Sequence, residues 1–186
     1  MKRRLVGPDN SNVPVTAIIL CAGGSTRMGT PKGLLDVAGT PLLVAHVAAA
    51  RAAGLAVRVV LGSRAEDHQR VLPAGVDVVL NPAWATTGMA ESLALALVDG
   101  PCLVTPVDVP PPRAATLRAL LEGAGDAVPT WSGEDGHPVR LDPPHPPGRL
   151  DVRLRGARRL PVEDPEILYN LNTPADWAAW RRRAGE

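Results

Sequence analysis

The sequence predicts an α/β protein, a mostly parallel central sheet with helices on both faces in three layers. Three observations lead there. Short runs rich in Val, Ile and Leu alternate along the chain with longer Ala/Leu stretches of helical spacing. The short runs are apolar almost throughout, not at every second position, which marks strands buried on both faces as in parallel sheets. The chain has no Phe and is only 3% aromatic, so its core is built from Ala, Leu and Val, a composition that suits helices packed closely on a sheet. Strand–helix alternation of this kind closes through right-handed crossovers.

In chain order, the β-branched runs predict strands at 15–20, 57–61, 76–80 and 102–107. Between and after them, helices are predicted at 41–53, 65–71, 89–98 and 113–121. Beyond residue 125 the pattern changes. Residues 127–131 and 138–141 read as strands joined by the polar turn 132–136, and 142–148 is a proline-rich loop too short to link two domains. Ile167, Leu168 and Tyr169 read as a last short strand. The closing helix is marked by Thr173 as N-cap, Pro174 at the first helical position and Asp176 at the third, a variant of the capping box. Arg181, Arg182 and Arg183 suit its negative end. No internal repeat is present.

A length of 186 residues fits one domain, placed at 15–186 behind a flexible N-terminal extension at 1–14. The formal net charge of +1 gives no reason to expect nucleic acid or an anionic membrane as partner. No apolar run approaches the ~20 residues that span a bilayer. The basic start Met1-Lys2-Arg3-Arg4 has no apolar segment behind it, which argues against a signal peptide and for a cytoplasmic location. Cys21 and Cys102 each fall at a predicted buried strand and read as small apolar residues. The four histidines lack zinc-ligand spacing. Of the 20 basic residues only Lys2 and Lys32 are lysines.

Lys32 ends the segment that carries chemistry. The first strand runs into Leu20-Cys21-Ala22-Gly23-Gly24-Ser25-Thr26-Arg27-Met28-Gly29-Thr30-Pro31-Lys32. A glycine pair directly after a strand lets backbone N–H groups approach an anion. Ser25 and Thr26 add hydroxyl donors, Arg27 a planar fork for phosphate oxygens and Lys32 a mobile point charge. All of this converges at a strand's carboxyl end, where open α/β sheets bind ligands. Two better-known phosphate loops do not fit. Gly24 and Gly29 have Walker A spacing, but Thr30 and Pro31 intervene before Lys32 and no hydroxyl follows it. The dinucleotide pattern Gly-x-Gly-x-x-Gly is absent.

The segment is similar to the signature Leu-x-Ala-Gly-x-Ser-x-Arg-Met-Gly-x-x-Lys of the molybdenum-cofactor nucleotidyltransferases (MobA-like NTP transferases). Further resemblances follow in order over roughly 15–180. Asn81-Pro82 followed by Gly88-Met89-Ala90-Glu91-Ser92 resembles that family's nucleobase-contacting loop and helix. Pro106-Val107-Asp108 looks like its metal-binding aspartate, Gly136-His137-Pro138-Val139 like its Gly-His-Pro-Val element, and Asn170-Leu171-Asn172-Thr173-Pro174 like its closing motif. The resemblance implies a Rossmann-like nucleotidyltransferase fold and transfer of a nucleoside monophosphate from an NTP. It further implies a nucleotide site at Leu20, Ala22, Gly23, Gly24, Ser25, Arg27, Gly29, Lys32, Asn81, Gly88 and Ser92. His137, Asn170 and Asn172 would serve the acceptor. Ala22 and the Gly-His-Pro-Val element resemble the cytidylyltransferase, MocA-like branch. The Asn-x-Asn-Thr-Pro tail resembles the guanylyl branch, and Leu154-Arg155-Gly156-Ala157-Arg158 departs from the usual Gly-Asp-x-Gly-Ala-Arg.

The chemistry is consistent with those residue types. A phosphate acceptor is already anionic at pH 7 and needs no general base. The obstacle is charge build-up at the α-phosphoryl group, and the remedy is electrostatic: Mg²⁺, with Mn²⁺ as the alternative, together with Arg27, Lys32 and loop N–H groups. Asp108 supplies a hard oxygen ligand for the metal. Asn172 is either a second, neutral metal ligand or a turn former. His137 is either a substrate contact or a satisfied polar residue in a strand. The reading is CMP transfer from CTP to a molybdopterin-type phosphate with release of pyrophosphate, serving a molybdoenzyme or its chaperone. The alternatives are a guanylyltransferase, a transferase acting on a sugar or other small phosphate, and a catalytically idle nucleotide-binding module.

Overall fold

A computed structural model describes residues 14–146 and 148–185. All but Pro14 of the expected N-terminal extension lies outside these residues. Strand β1 (Thr16–Cys21) occupies the middle of an eight-stranded sheet, flanked in parallel by β4 (Ala56–Leu61) and β6 (Cys102–Pro106). β5 (Asp77–Leu80) continues the parallel set beyond β4. On the other side, β9 (Val139–Leu141) pairs antiparallel with β6, followed by β7 (Ala127–Trp131) and, at the edge, β10 (Arg158–Pro161) parallel to β7. A small separate hairpin joins β2 (Asp36–Val37) to β3 (Thr40–Pro41).

The alternation of β1 shows why its sequence is apolar at every position. Ala17, Ile19 and Cys21 face one layer, where they meet Leu42, Leu43 and Val47 of α1 (Leu42–Ala52), Leu117 and Leu120 of α4 (Ala114–Leu121) and Trp180 of α6 (Pro174–Ala184). Ile18, Leu20 and Ala22 face the other layer, against Leu93 and Ala96 of α3 (Met89–Ala96) and Leu150 of α5 (Leu150–Arg153). A short α2 (Ala65–Val71) follows β4. The three-layer α/β architecture is therefore present, with helices on both faces. The α6 cap is the expected one: Thr173 Oγ1 accepts from Asp176 N, and the Asp176 carboxylate accepts from Thr173 N at 2.8 Å.

Two local expectations are corrected and one strand is added. Residues 167–169 do not form a strand. Pro165–Leu168 is a 3₁₀ turn, in which Ile167 is buried and Pro165 has no N–H to give a sheet. Gly136 makes room for Ile167, since a Cβ there would stand 2.6 Å from its Cγ1. The turn 132–136 is tighter than expected. Ser132 and Gly133, both at positive φ, close a hairpin in which β8 (Glu134–Asp135) pairs with β7. The edge strand β10 was not anticipated, because two arginines and a proline in four residues carry no apolar run. Charge and proline are common devices for blunting an open sheet edge.

Candidate functional site

A cleft of about 310 Å³ opens at the carboxyl ends of β1 and β6. One wall is Ala22, Gly23 and Ser25 from the loop after β1, the second is Trp84, Thr87, Gly88 and Ser92, and Lys32 and Asp108 complete it. The loop after β1 is shaped by internal bonds. Ser25 adopts positive φ, its carbonyl accepts from Met28 N and Gly29 N, and its Oγ accepts from Lys32 N at 3.1 Å. The Ser25 hydroxyl thus fixes where the loop re-enters at Lys32 and keeps its own proton for a further acceptor.

The Lys32 side chain turns back into the cleft. Nζ donates to Asp108 Oδ2 at 2.9 Å and to Asn172 Oδ1 at 2.7 Å. Arg27, exposed, donates through a terminal guanidinium nitrogen to the same Asn172 oxygen at 3.1 Å. Four backbone or side-chain clamps bring these groups together. Val107 N bonds the Leu20 carbonyl, tying the loop after β6 to β1, and Leu171 N bonds the Asp108 carbonyl at 2.7 Å, which carries Asn172 alongside. His46, buried on α1, donates from Nε2 to the Val109 carbonyl at 2.8 Å. Gly33 is wedged between Cys21 and His68, where a Cβ would stand 2.8 Å from Cys21 Sγ and from His68 Cδ2.

Burial neutralises the surroundings of this charged cluster. It pushes the Cys21 thiol up to about 12 and the His46 imidazole down to about 4. His68 and His137 are likewise lowered by burial. No imidazole at this end of the sheet is poised to take a proton near pH 7, and the thiols of Cys21 and Cys102 are free and buried. The charges that meet at the cleft are the Lys32 ammonium, the Arg27 guanidinium and the Asp108 carboxylate.

The expected site residues divide into those in the cleft and those that are not. Leu20, Ala22, Gly23, Ser25, Lys32, Gly88, Ser92 and Asp108 line it. Arg27 and Asn172 border it through Lys32. Gly24 faces Trp84 instead, and Gly29 turns the loop at positive φ. Asn81 does not reach the cleft. It is 2% exposed, its Nδ2 donates to Thr87 Oγ1 and Ser92 Oγ, and its Oδ1 accepts from Ala83 N, so it shapes the turn from behind. His137 is half-buried, with Nδ1 shielded and without a hydrogen-bond partner and its backbone N bonded to the Ile167 carbonyl. Asn170 is exposed, and its side chain donates to the Leu168 carbonyl of its own turn. Trp84 was not anticipated. An aromatic in a turn gives no periodic signal, although its rarity in this chain does single it out.

Among the described residues, no group of three or more His, Cys, Asp or Glu side chains is placed to hold a metal ion, and no helix is long and apolar enough to cross a membrane. Oxygen donors do converge. The Asp108 carboxylate and the Asn172 amide oxygen meet at one positive charge, the Lys32 ammonium. A hard divalent cation takes such donors when phosphate oxygens supply the rest of its shell.

Residues 17–161 match the family described as the MobA-like NTP transferase domain. The chain is 36% identical over 124 residues to the bifunctional protein GlmU of Sphingopyxis alaskensis, covering 62% of this chain and 28% of that one. It is 38% identical over 108 residues to a molybdenum cofactor guanylyltransferase of Xanthomonas euvesicatoria, covering 58% of this chain and 54% of the relative. The chain thus spans about half or less of the length of these curated relatives. Among solved structures, the Mycobacterium sp. strain JC1 homologue of Mycobacterium tuberculosis Rv0371c superposes with a TM-score of 0.76 at 26% identity, covering 92% of this chain and 96% of that one.

Proposed function

The chain belongs to the family of MobA-like NTP transferase domains, and on that premise we propose that it transfers a nucleoside monophosphate from an NTP to a phosphate of molybdopterin type, with CTP as the preferred donor. The observation that carries this reading is the Lys32 ammonium held between Asp108 and Asn172 at the end of a glycine-rich loop. A preorganised cation beside a backbone phosphate cradle is what a pentavalent α-phosphoryl group requires, because its excess negative charge develops there.

In the proposed reaction the acceptor phosphate oxygen forms a bond to the α-phosphorus of the NTP. The bond from that phosphorus to the bridging α–β oxygen breaks, and pyrophosphate departs with the electron pair. The nucleophile is anionic at pH 7, so no base is needed, which agrees with histidines that burial keeps neutral. Gly23 N–H and the Ser25 hydroxyl are offered to the phosphates, and Arg27 to the leaving pyrophosphate. Lys32 moves from its present partners onto the α-phosphoryl oxygens as charge builds. Asp108, with Asn172 as a neutral second donor, would hold a divalent cation, Mg²⁺ or Mn²⁺, against the phosphates. When bound, that ion supplies charge neutralisation at the triphosphate.

The preference for CTP rests on Ala22. Ala22 lines the cleft, and its carbonyl accepts from Ser63 N at 3.0 Å, which holds its backbone in place beside a bound base. A second reading, guanylyl transfer, is favoured by the Asn170-Leu171-Asn172 tail and by the guanylyltransferase relative. A panel of the four NTPs with Mg²⁺ or Mn²⁺, with and without molybdopterin, assayed for pyrophosphate, tests the proposal. Release that requires both CTP and molybdopterin supports it. Release from an NTP when a sugar phosphate replaces molybdopterin, or NTP binding without any release, overturns the acceptor or the enzymatic reading respectively.

A further inference from the structure

We propose that Trp84 is the nucleobase-binding wall of the cleft and that its indole, not a polar side chain, positions the base. The inference rests on the reading of the cleft as an NTP site. The turn after β5 holds Trp84 from behind: its N–H bonds the Asn81 carbonyl at 3.3 Å. Its Cβ presses on Gly62 at the end of β4, where an added Cβ would stand 2.5 Å from Trp84 Cβ and 2.6 Å from the Ala22 carbonyl. Its six-membered ring reaches across to Gly24 in the loop after β1, where an added Cβ would stand 3.1 Å from Cζ3. Two glycines on different elements therefore make room for one indole.

This packing does not bury the ring. Trp84 remains 37% exposed, and it lines the same cleft as Lys32 and Asp108. The chain has no Phe, one Tyr and four Trp. Trp177 and Trp180 pair with each other on α6 at 5.2 Å, and Trp131 lies in β7. An exposed indole at the cleft is thus a rare expenditure of aromatic surface. The polar groups of the same turn are mostly occupied with one another. Asn81 is buried, and the Thr87 hydroxyl donates to the Ala83 carbonyl at 2.9 Å while accepting from Asn81. Ser92, whose Oγ already accepts from Asn81, keeps its proton for the cleft. What the turn presents to a base is therefore a π surface and one hydroxyl. Stacking on an aromatic is strong and tolerant of base identity, because every base has a π face. Trp84 then supplies affinity for CTP and GTP alike, and discrimination falls to Ala22 and Ser92.

The test compares wild type, Trp84→Leu and Trp84→Phe. Dissociation constants for CTP and GTP with Mg²⁺ are measured by equilibrium dialysis, alongside pyrophosphate-release kinetics, thermal melting and tryptophan emission. Trp84→Leu keeps apolar bulk without a π face. It is expected to weaken both nucleotides by ~10-fold or more, raising KM by more than it lowers kcat, while Trp84→Phe recovers most of the loss. Saturating CTP is expected to quench wild-type emission, and Trp84→Phe to lose that quench. If Trp84→Leu binds both nucleotides within about twofold of wild type, the inference is overturned and the NTP reading stands. If wild type binds no NTP, both fall. Should Trp84→Leu fail to fold, the quench decides: a CTP-dependent quench that persists in Trp84→Phe overturns the inference.

Discussion

Lys32 Nζ donates a 2.9 Å hydrogen bond to Asp108 Oδ2 across 76 residues of sequence. One residue comes from the loop after β1 and the other from the loop after β6, and these are neighbouring strands in the sheet. Both side chains are largely shielded, at 12% and 25% exposure, so water screens the pair only in part.

Lys32→Ala is expected to lower kcat by ~10²–10³, the usual cost of one preorganised charge stabiliser. The fold should survive, because the contact that orders the loop is the Lys32 backbone N–H on Ser25 Oγ, which the substitution leaves in place. Pyrophosphate release and a melting curve check this together. Near-normal turnover would remove Lys32 from the chemistry.

Asp108→Asn is expected to reduce turnover at limiting Mg²⁺ far more than it weakens NTP binding, since a neutral amide is a poor ligand for a hard cation. Asn172→Asp is the converse experiment. Its new carboxylate would stand where Asn172 Oδ1 now meets Lys32 at 2.7 Å, and it should shift the Mg²⁺ titration of turnover to lower concentrations. Unchanged titrations in both variants would make these residues purely structural.

Ala22→Gly is expected to relax the CTP preference without reversing it. Steric selection by one methyl group is worth ~10–200-fold. Competition between CTP and GTP on wild type and variant measures it, and a wild type that prefers GTP would assign specificity to the Asn170–Asn172 tail instead.

Gly33→Ala tests the packing that carries Lys32. The new Cβ would meet Cys21 Sγ and His68 Cδ2 at 2.8 Å, both buried side chains with little room to yield. Overpacking of this kind costs ~1–3 kcal/mol, and the displaced backbone should also lower kcat/KM. Gly156→Ala, where an added Cβ meets nothing within 4 Å, is the control. Equal melting temperatures for the two would contradict the wedge.

Stability should fall on mild acidification. His46 is lowered from 6.5 to about 4 by burial, and His68 and His137 are lowered too. The unfolded chain therefore binds more protons than the native one between about pH 6.5 and 4, so native stability is complete above 6.5 and declines toward 4. For His46 alone the loss is about 3 kcal/mol. Urea midpoints at pH 7.5, 5.5 and 4.5 in wild type and His46→Gln measure it. An identical decline in both would exclude His46 as the source.

The α/β layering, the central parallel strands, the α6 cap and the glycine-rich loop after β1 were legible in the sequence because each is a short-range pattern. Apolar runs, a glycine pair after a strand and Thr173–Asp176 spacing all act within a few residues of themselves. Legibility failed where local pattern was weak or overridden. The β10 edge strand hides behind Arg158 and Arg159, and Ile167 is apolar not as a strand residue but as a plug beneath Gly136.

Other features required the assembled chain. Asn81 and Ser92 stand 11 residues apart, and only the closed turn reveals that the buried Asn81 amide donates to the Ser92 hydroxyl. Trp84 acquires its place from Gly24 and Gly62, which no spacing rule connects to it. Asn172 reaches Lys32 because Leu171 bonds the Asp108 backbone, a contact set by how the chain's end returns across the sheet. Sequence by itself determined which elements form and which chemical groups are available, since these follow from local sterics and hydrophobic period. Tertiary structure decided which groups meet, because such meetings depend on long-range packing that brings separate loops to the carboxyl ends of neighbouring strands.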